Sequence, residues 1–390
     1  VYVCGSGTYA EHVEVASAIS IFGGFACGSW TADAASKPKV APADPGFALR
    51  VANVSAPVRF EDLAFEAVPG NESHRSSIAV FVANSSDVTF KRVEMTAGKG
   101  ADGKDGEPGM TGVPTPANLD GNPGGETNGG AAKTCTCSTG GTSVGGRGGS
   151  VVGLGDEING GAGLPAITPP NPANATGAGQ TQNDCNASTN PAKPGSNAPD
   201  MGPKPPPPVG TLDDNGWRPG DGEKGAPGAP GQGGGGGGSR NNAGTNNGGG
   251  GGGGCGGCGG EGGGGGEGGG ASVALLLFSS PARLVSSTLT SADAGNGGVG
   301  KPGGDGAAGG AGGPPHRFAC QGSHGGTGGK GGAGAGGAGG VSAAVLYKGA
   351  APTDEGSTLN HGKKGDPGLG GAPGVNDGPP GLEGQIVAAP

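Results

Sequence analysis

The stretch ALRVANVSAPVRFEDLAFEA, residues 48–67, recurs in altered form as AVFVANSSDVTFKRVEMTA at 79–97. Both copies contain VAN. The apolar set Val58, Phe60, Leu63 and Phe65 of the first is matched by Val88, Phe90, Val93 and Met95 of the second, at a spacing of 30 to 31 residues. Apolar and polar residues alternate through each copy, the two-residue period of half-buried strands. A repeat of this size suits a chain that winds, each turn laying its strands on those of the turn before.

Working outward, VYV, HVEV and ISIF precede the repeat with the same alternation, so residues 1–97 read as strands joined by short turns. That spacing is the size of one coil of a right-handed parallel β-helix. The opening VYVCGSGTYAEHVEV...ISIFGGF resembles the first strands of secreted bacterial members of the pectin-lyase-like β-helix family. The resemblance covers about a quarter of the chain. It implies that Cys4 and Cys27 flank equivalent strands of stacked coils about 4.8 Å apart, within reach of a disulfide.

After Met95 the composition changes to AGKGADGKDGEPGMTG. Strand-like sequence returns at 272–290 (SVALLLFSSPARLVSSTLT) and 342–360 (SAAVLYKGAAPTDEGSTLN), both echoing SIAVFV at 77–82. Glycine-rich tracts carrying Lys with Asp or Glu follow each: GKDGEPG, GKPGGDG and GKKGDPG. The expected organisation is β-helix coils over 1–97, a glycine/proline-rich region over 98–270, a returning coil at 271–294, and a second excursion at 295–340. A further coil follows at 341–361, then a glycine-rich tail with a terminal strand at 362–390.

Glycine supplies 100 of 390 residues and aromatics only 4%, which by composition alone would read as disorder. A period argues otherwise. Glycine falls at every third position from 297 to 312 and from 322 to 340. Three residues per turn is the polyproline II helix, whose N–H and C=O groups point sideways to neighbours. The runs are too short and too rich in Gly and Ala for collagen, so a single-chain bundle is expected. The pattern resembles the polyglycine II bundles of snow-flea antifreeze protein and of certain phage tail-tip adhesins, a likeness of architecture that transfers no functional residue.

Net charge is −9 and the Lys and Arg residues are scattered, which argues against nucleic acid as a partner. The longest apolar run, VALLLF at 273–278, is too short to cross a bilayer, so no membrane span is expected. The first residue, Val1, reads as a processed end or the start of a fragment. Eight cysteines in a core-poor chain point to disulfides and an extracellular or cell-surface setting: Cys4, Cys27, Cys135, Cys137, Cys185, Cys255, Cys258 and Cys320. The sequons at Asn53, Asn71, Asn84, Asn174 and Asn186 fit secretion but arise easily in an Asn- and Ser-rich chain.

Motifs with chemistry are weak. GNGGVGKP at 295–302 nearly spells a phosphate-binding loop, but Pro302 replaces the metal-binding hydroxyl and no helix follows. CGGC at 255–258 lacks a second half-site for zinc and a helix N-terminus for redox work. Asp62, Asp87, Lys91 and Arg92 would be the candidates for an enzyme on polysaccharide, in a β-helix of three or four coils. The acidic spacings in DGKDGEPG and GDGEKG follow the triplet rather than a calcium loop. No catalytic residue, cofactor or metal is expected.

Within the tract from 248 to 270, Cys255, Cys258, Glu261 and Glu267 are the interruptions, and all fall in one phase of the three-residue period. Positions three apart on such a helix lie about 9.3 Å apart, so Cys255 and Cys258 should bond outward, to partners among Cys135, Cys137, Cys185 and Cys320. The leading expectation is a non-enzymatic extracellular structural protein that self-associates into a fibre or surface layer, by end-to-end stacking or terminal strand exchange. An adhesin or ice-binding module with a flat polyglycine II face, binding a surface glycan or ice, is the alternative; a polysaccharide-active enzyme is the third.

Overall fold

A computed structural model describes residues 1–5, 7–152, 154–185, 191–242 and 246–390. The chain runs in six circuits, each placing one strand in each of three parallel sheets. The first circuit holds β1 (Tyr2–Cys4), β2 (Thr8–Tyr9) and β3 (Val13–Val15); the second holds β4 (Ile21–Phe25), β5 (Lys39–Val40) and β6 (Leu49–Ala52). The third holds β7 (Val58–Glu61), β8 (Ala64–Ala67) and β9 (Ser77–Ala83). The fourth opens with β10 (Val88–Lys91) and β11 (Glu94–Ala97), then leaves on a long excursion. That excursion contains β12 (Pro114–Thr115), β13 (Lys133–Cys137), β14 (Thr142–Gly145), β15 (Gly210–Asp213) and β16 (Gly216–Pro219), and ends in β17 (Ser272–Phe278). The fifth comprises β18 (Ala282–Val285), β19 (Thr288–Thr290) and β20 (Ser342–Lys348); the sixth, β21 (Thr353–Glu355), β22 (Thr358–Asn360) and β23 (Glu383–Ala388). No α-helix occurs among the described residues. The architecture is compatible with a β-helix-like repeat fold.

Six circuits exceed the three or four expected. The sequence echo is strongest between the third circuit and the opening strands of the fourth, because the excursions push later strands far apart in the chain. Glu94 pairs with Thr288 and Ser272 with Ser342, in unbroken parallel register. VRFEDLAFEAV and DVTFKRVEM, which read as single strands, each break in two at Asp62 and Arg92, where the backbone turns left-handed (φ 55° and 53°). Ser286 (φ 47°) and Gly356 (φ 71°) hold the same corner in the next two circuits. At the opposite corner stand Asn53, Asn84, Ser279 and Gly349, again all at positive φ. The repeated VAN is thereby explained: Asn tolerates the left-handed turn better than other non-glycine residues.

Two apolar layers result. Inside the winding, Phe60 stacks on Phe90 with centroids 5.3 Å apart, and Val58, Leu63, Phe65, Val88, Val93 and Met95 are buried with them. The third sheet is covered on both faces at its central strands β9, β17 and β20. Its outer residues Phe81, Leu276 and Leu346 pack beneath Leu212 and Trp217 of the β15–β16 hairpin. Burial on both faces is why SIAVFVA and SVALLLF lack alternation.

The glycine-rich excursions of circuits four, five and six all leave from the corner between the second and third sheets. They keep the register of the strands that launch them. Glu94 and Thr288 stand 194 residues apart, and so do Asp102 and Asn296, whose side chain and N–H bond one leg to the next. The spacing of 70 that pairs β19 with β22 recurs between Asn296 and Asp366. The excursions are therefore extensions of the sheets' stacking, built of straight legs.

Residues 248–270 form the innermost leg. Every third N–H, from Gly251 to Gly269, donates to the leg at 320–338; those of Glu261, Gly264, Glu267 and Gly270 donate to the leg at 101–110. Its carbonyls accept from Gly222 to Gly237 on one side and from residues 295–313 on another. A Cβ at Gly257 would fall on the Ala307 carbonyl, and one at Gly256 on that of Gly231.

These two uses of glycine predict opposite mutational signs. Ser286→Gly relieves a left-handed serine whose exposed side chain makes no hydrogen bond, and should raise stability by about 1 kcal/mol in thermal or denaturant unfolding. Gly257→Ala must force two legs apart and should lower stability by about 1–3 kcal/mol.

Candidate functional site

The eight cysteines form four disulfides: Cys4–Cys27, Cys135–Cys255, Cys137–Cys258 and Cys185–Cys320. Cys255 and Cys258 bond outward to separate partners. On β13, alternation turns Cys135 and Cys137 to one buried face, the middle strand of the β12–β13–β14 sheet. Facing them, the glycine leg offers Cys255 and Cys258 three residues apart. A strand advances about 6.7 Å in two residues and an extended triplet about 9.3 Å in three, a mismatch of about 2.6 Å between the two repeats. Cα separations of 6.2 and 5.4 Å absorb the difference. Glu267, in the same phase, lies 3.7 Å from Arg75, which also pairs with Asp221 at 2.8 Å.

Of the four residues weighed for catalysis, three meet. Arg92 grips Asp62 through Nε and Nη2 at 2.7 and 2.6 Å, and its Nη2 lies 2.5 Å from Glu61 Oε1. Lys91 Nζ is 2.9 Å from the same Glu61 oxygen. Asp87 is elsewhere, leading into β10, where its carbonyl accepts from Val58 N–H. Burial pushes the Glu61 carboxyl up, but hydrogen bonds from Lys91 and Arg92 outweigh it and hold it below the ordinary carboxylate range. Asp62 in turn holds the Arg92 guanidinium firmly protonated. A carboxylate locked in its charged form by two cations is poorly suited to act as a general acid. The cluster ties the left-handed corners of circuits three and four together.

The remaining motifs resolve into backbone support. Lys301 of the loop-like GNGGVGKP lies 2.7 Å from Asp105, on a straight leg. Asp102, Asp105 and Asp120 accept the N–H of Asn296, Val299 and Ala311 at 2.7–2.8 Å, and Asn197 and Asp200 do the same for Thr327 and Lys330. Each carboxylate or amide serves an N–H of an adjoining leg. Among the described residues no cluster of three or more His, Cys, Asp or Glu is placed to hold a metal, and no helix is long and apolar enough to cross a membrane. Of the sequons, Asn53 and Asn84 are corner residues, and Asn186 lies outside the described residues.

The β15–β16 hairpin was missed within the glycine-rich region. Its signal was present in GTLDDNGWRP, short runs on either side of a polar turn at Asp214–Asn215 followed by Gly216. No family model, curated protein or solved structure matches the chain.

Two measurements probe these bonds. Cys185–Cys320 closes 135 residues and Cys4–Cys27 closes 23, whereas Cys137–Cys258 adds only a small ring once Cys135–Cys255 is made. On chain entropy, replacing the Cys185–Cys320 pair with serine should destabilise by about 1 kcal/mol more than replacing Cys4–Cys27. Because the Glu61 pKa is depressed on folding, its contribution is complete above the unfolded value and lost as pH falls through the folded one. Unfolding midpoints should therefore hold steady from pH 7 to about 5 and drop below about pH 4, with Glu61→Gln less stable at pH 7 and flatter in acid.

Proposed function

We propose that the chain is a six-coil right-handed parallel β-helix carrying a polyglycine II bundle, and that it serves as an extracellular structural protein whose copies stack end to end. The carrying observation is that the described residues leave a parallel strand edge at each end of the winding. At one end the edges of β1, β2 and β3, unpaired among the described residues, border a largely apolar hollow of about 140 Å³ whose lining includes Val3, Tyr9, Val13, Ile21 and Phe65 together with Glu11. At the other, the outer edges of β21, β22 and β23 have no partner among the described residues, and Ile386, which continues the inner column of Leu49, Val80, Leu275 and Val345, is 40% exposed. Parallel strand edges template further strands. A second copy placed in register would set Ile386 beside Val13 and Val387 beside Glu14.

Four disulfides in a chain with no free cysteine support an oxidising, extracellular setting. Catalysis is disfavoured by the neutralised cluster at Arg92. The ice-binding alternative is disfavoured because Ala335 and Ala338, small residues of the glycine-rich leg at 322–340, are fully buried.

Purified chain should show concentration-dependent multimers in sedimentation and linear stacks by negative-stain electron microscopy. In a Glu14→Cys, Val387→Cys double variant, mild oxidation should trap a multimer ladder absent from either single variant. Discrete monomers at high concentration with no ladder would refute the reading.

A further inference from the structure

The seam between the winding and the hairpin holds a second feature, independent of the ends. A cleft of about 410 Å³ opens between the turn at 73–76, the segment at 46–47 and the hairpin residues 215–219. Its apolar side is Phe47, Ile78 and the indole of Trp217; its polar side includes His74, Arg75 and Arg218. No carboxylate lines it, although the chain carries a net charge of −9. The acids that pair with the two arginines, Asp221 and Glu267 with Arg75 and Asp213 with Arg218, lie outside the lining. They orient the guanidinium groups without closing the cleft. Arg75 is further fixed by the Gly268 carbonyl at 2.5 Å.

Two details suggest a built site. Trp217 is only 7% exposed, yet its indole N–H is buried with no acceptor, an arrangement that is uncommon and unfavourable. The turn that presents it uses Gly216 at φ +115°, where a side chain would press on the Phe47 ring. The hairpin is thus shaped to let Gly216 pass close to Phe47, whose ring lies 4.9 Å from that of Phe81.

We propose that this cleft binds a small organic anion with a flat apolar body, an aromatic carboxylate. Its ring would lie along Phe47 and the indole, and its carboxylate between Arg218 and His74, with Arg75 adding positive potential. The volume suits a ligand of this class. Carboxylate pairing with a preoriented guanidinium is among the stronger charge-assisted hydrogen bonds. A free aromatic acid and the C-terminal aromatic residue of a peptide share this chemistry.

Because the chain has two tryptophans, Trp30→Phe leaves Trp217 as the sole indole reporter. That variant would be titrated with 3-phenylpropionate, its uncharged amide, and a short peptide ending in Phe, following indole emission. The expected result is a saturable change with the carboxylate and a response about tenfold weaker with the amide. Arg218→Gln, at a largely exposed residue, should weaken binding about tenfold with an unchanged unfolding midpoint. A peptide response equal to or stronger than the free acid assigns the source to a chain terminus, and a weaker one to a free acid. No saturable change, equal response to the amide, or Arg218→Gln binding like the parent would overturn the proposal.

Discussion

An extended three-residue leg can make no hydrogen bond to itself, and this constraint governs the rest of the molecule. Each buried N–H and C=O must find a partner on another leg, at the close range only glycine allows. The leg at 248–270 meets the demand by lying among others: it donates to 320–338 and 101–110 and accepts from 222–237 and 295–313. Where a leg reaches the surface and a carbonyl is lacking, an Asp or Asn side chain substitutes, as Asp105 does for Val299 and Asp200 for Lys330. Glycine content here measures how many neighbours a leg must touch.

Such a bundle needs its legs held in register, since a slip of one residue would rotate every N–H away from its acceptor. The winding supplies that register. Strands stacked in parallel fix the launch points, and the spacings of 194 and 70 residues pass unchanged from the paired strands into the legs. The charge cluster of Glu61, Asp62, Lys91 and Arg92 belongs to the same task, clamping two successive corners of the winding.

What could be read from sequence was what repeats. The matched sets beginning at Val58 and Val88 located the core, and the common phase of Cys255 and Cys258 showed that these cysteines would not bond each other. What escaped was hidden by composition. Trp217 and Leu212 sit in a region dominated by glycine and proline, so the hairpin that covers the third sheet drew no notice. β21, TDE, carries almost no apolar signal of its own; its place within the returning coil at 341–361 comes from pairing with β18. The acidic residues of the triplets read as solvated charge, although they cap backbone donors across 130 to 194 residues of sequence.

The positions of the disulfides follow from the same logic. The third excursion is short: its outgoing leg meets the others only as far as Gly371, opposite Gly334. Beyond that level the first two excursions continue unsupported by it. There Gly310 and Ala307 donate to the carbonyls of Cys255 and Cys258, so both cysteines lie past the reach of the third excursion. The bridges to Cys135 and Cys137 are made there, and the chain adds the β12–β13–β14 sheet at the same level. Near the winding, parallel strands hold the register without covalent help; far from it, loops closed over 120, 121 and 135 residues restrict the unfolded chain instead. Cys4–Cys27 fits the rule from the other direction, since it secures the short first circuit, where β1 and β2 hold only three and two residues. Covalent staples thus stand where the hydrogen-bonded stack is thinnest.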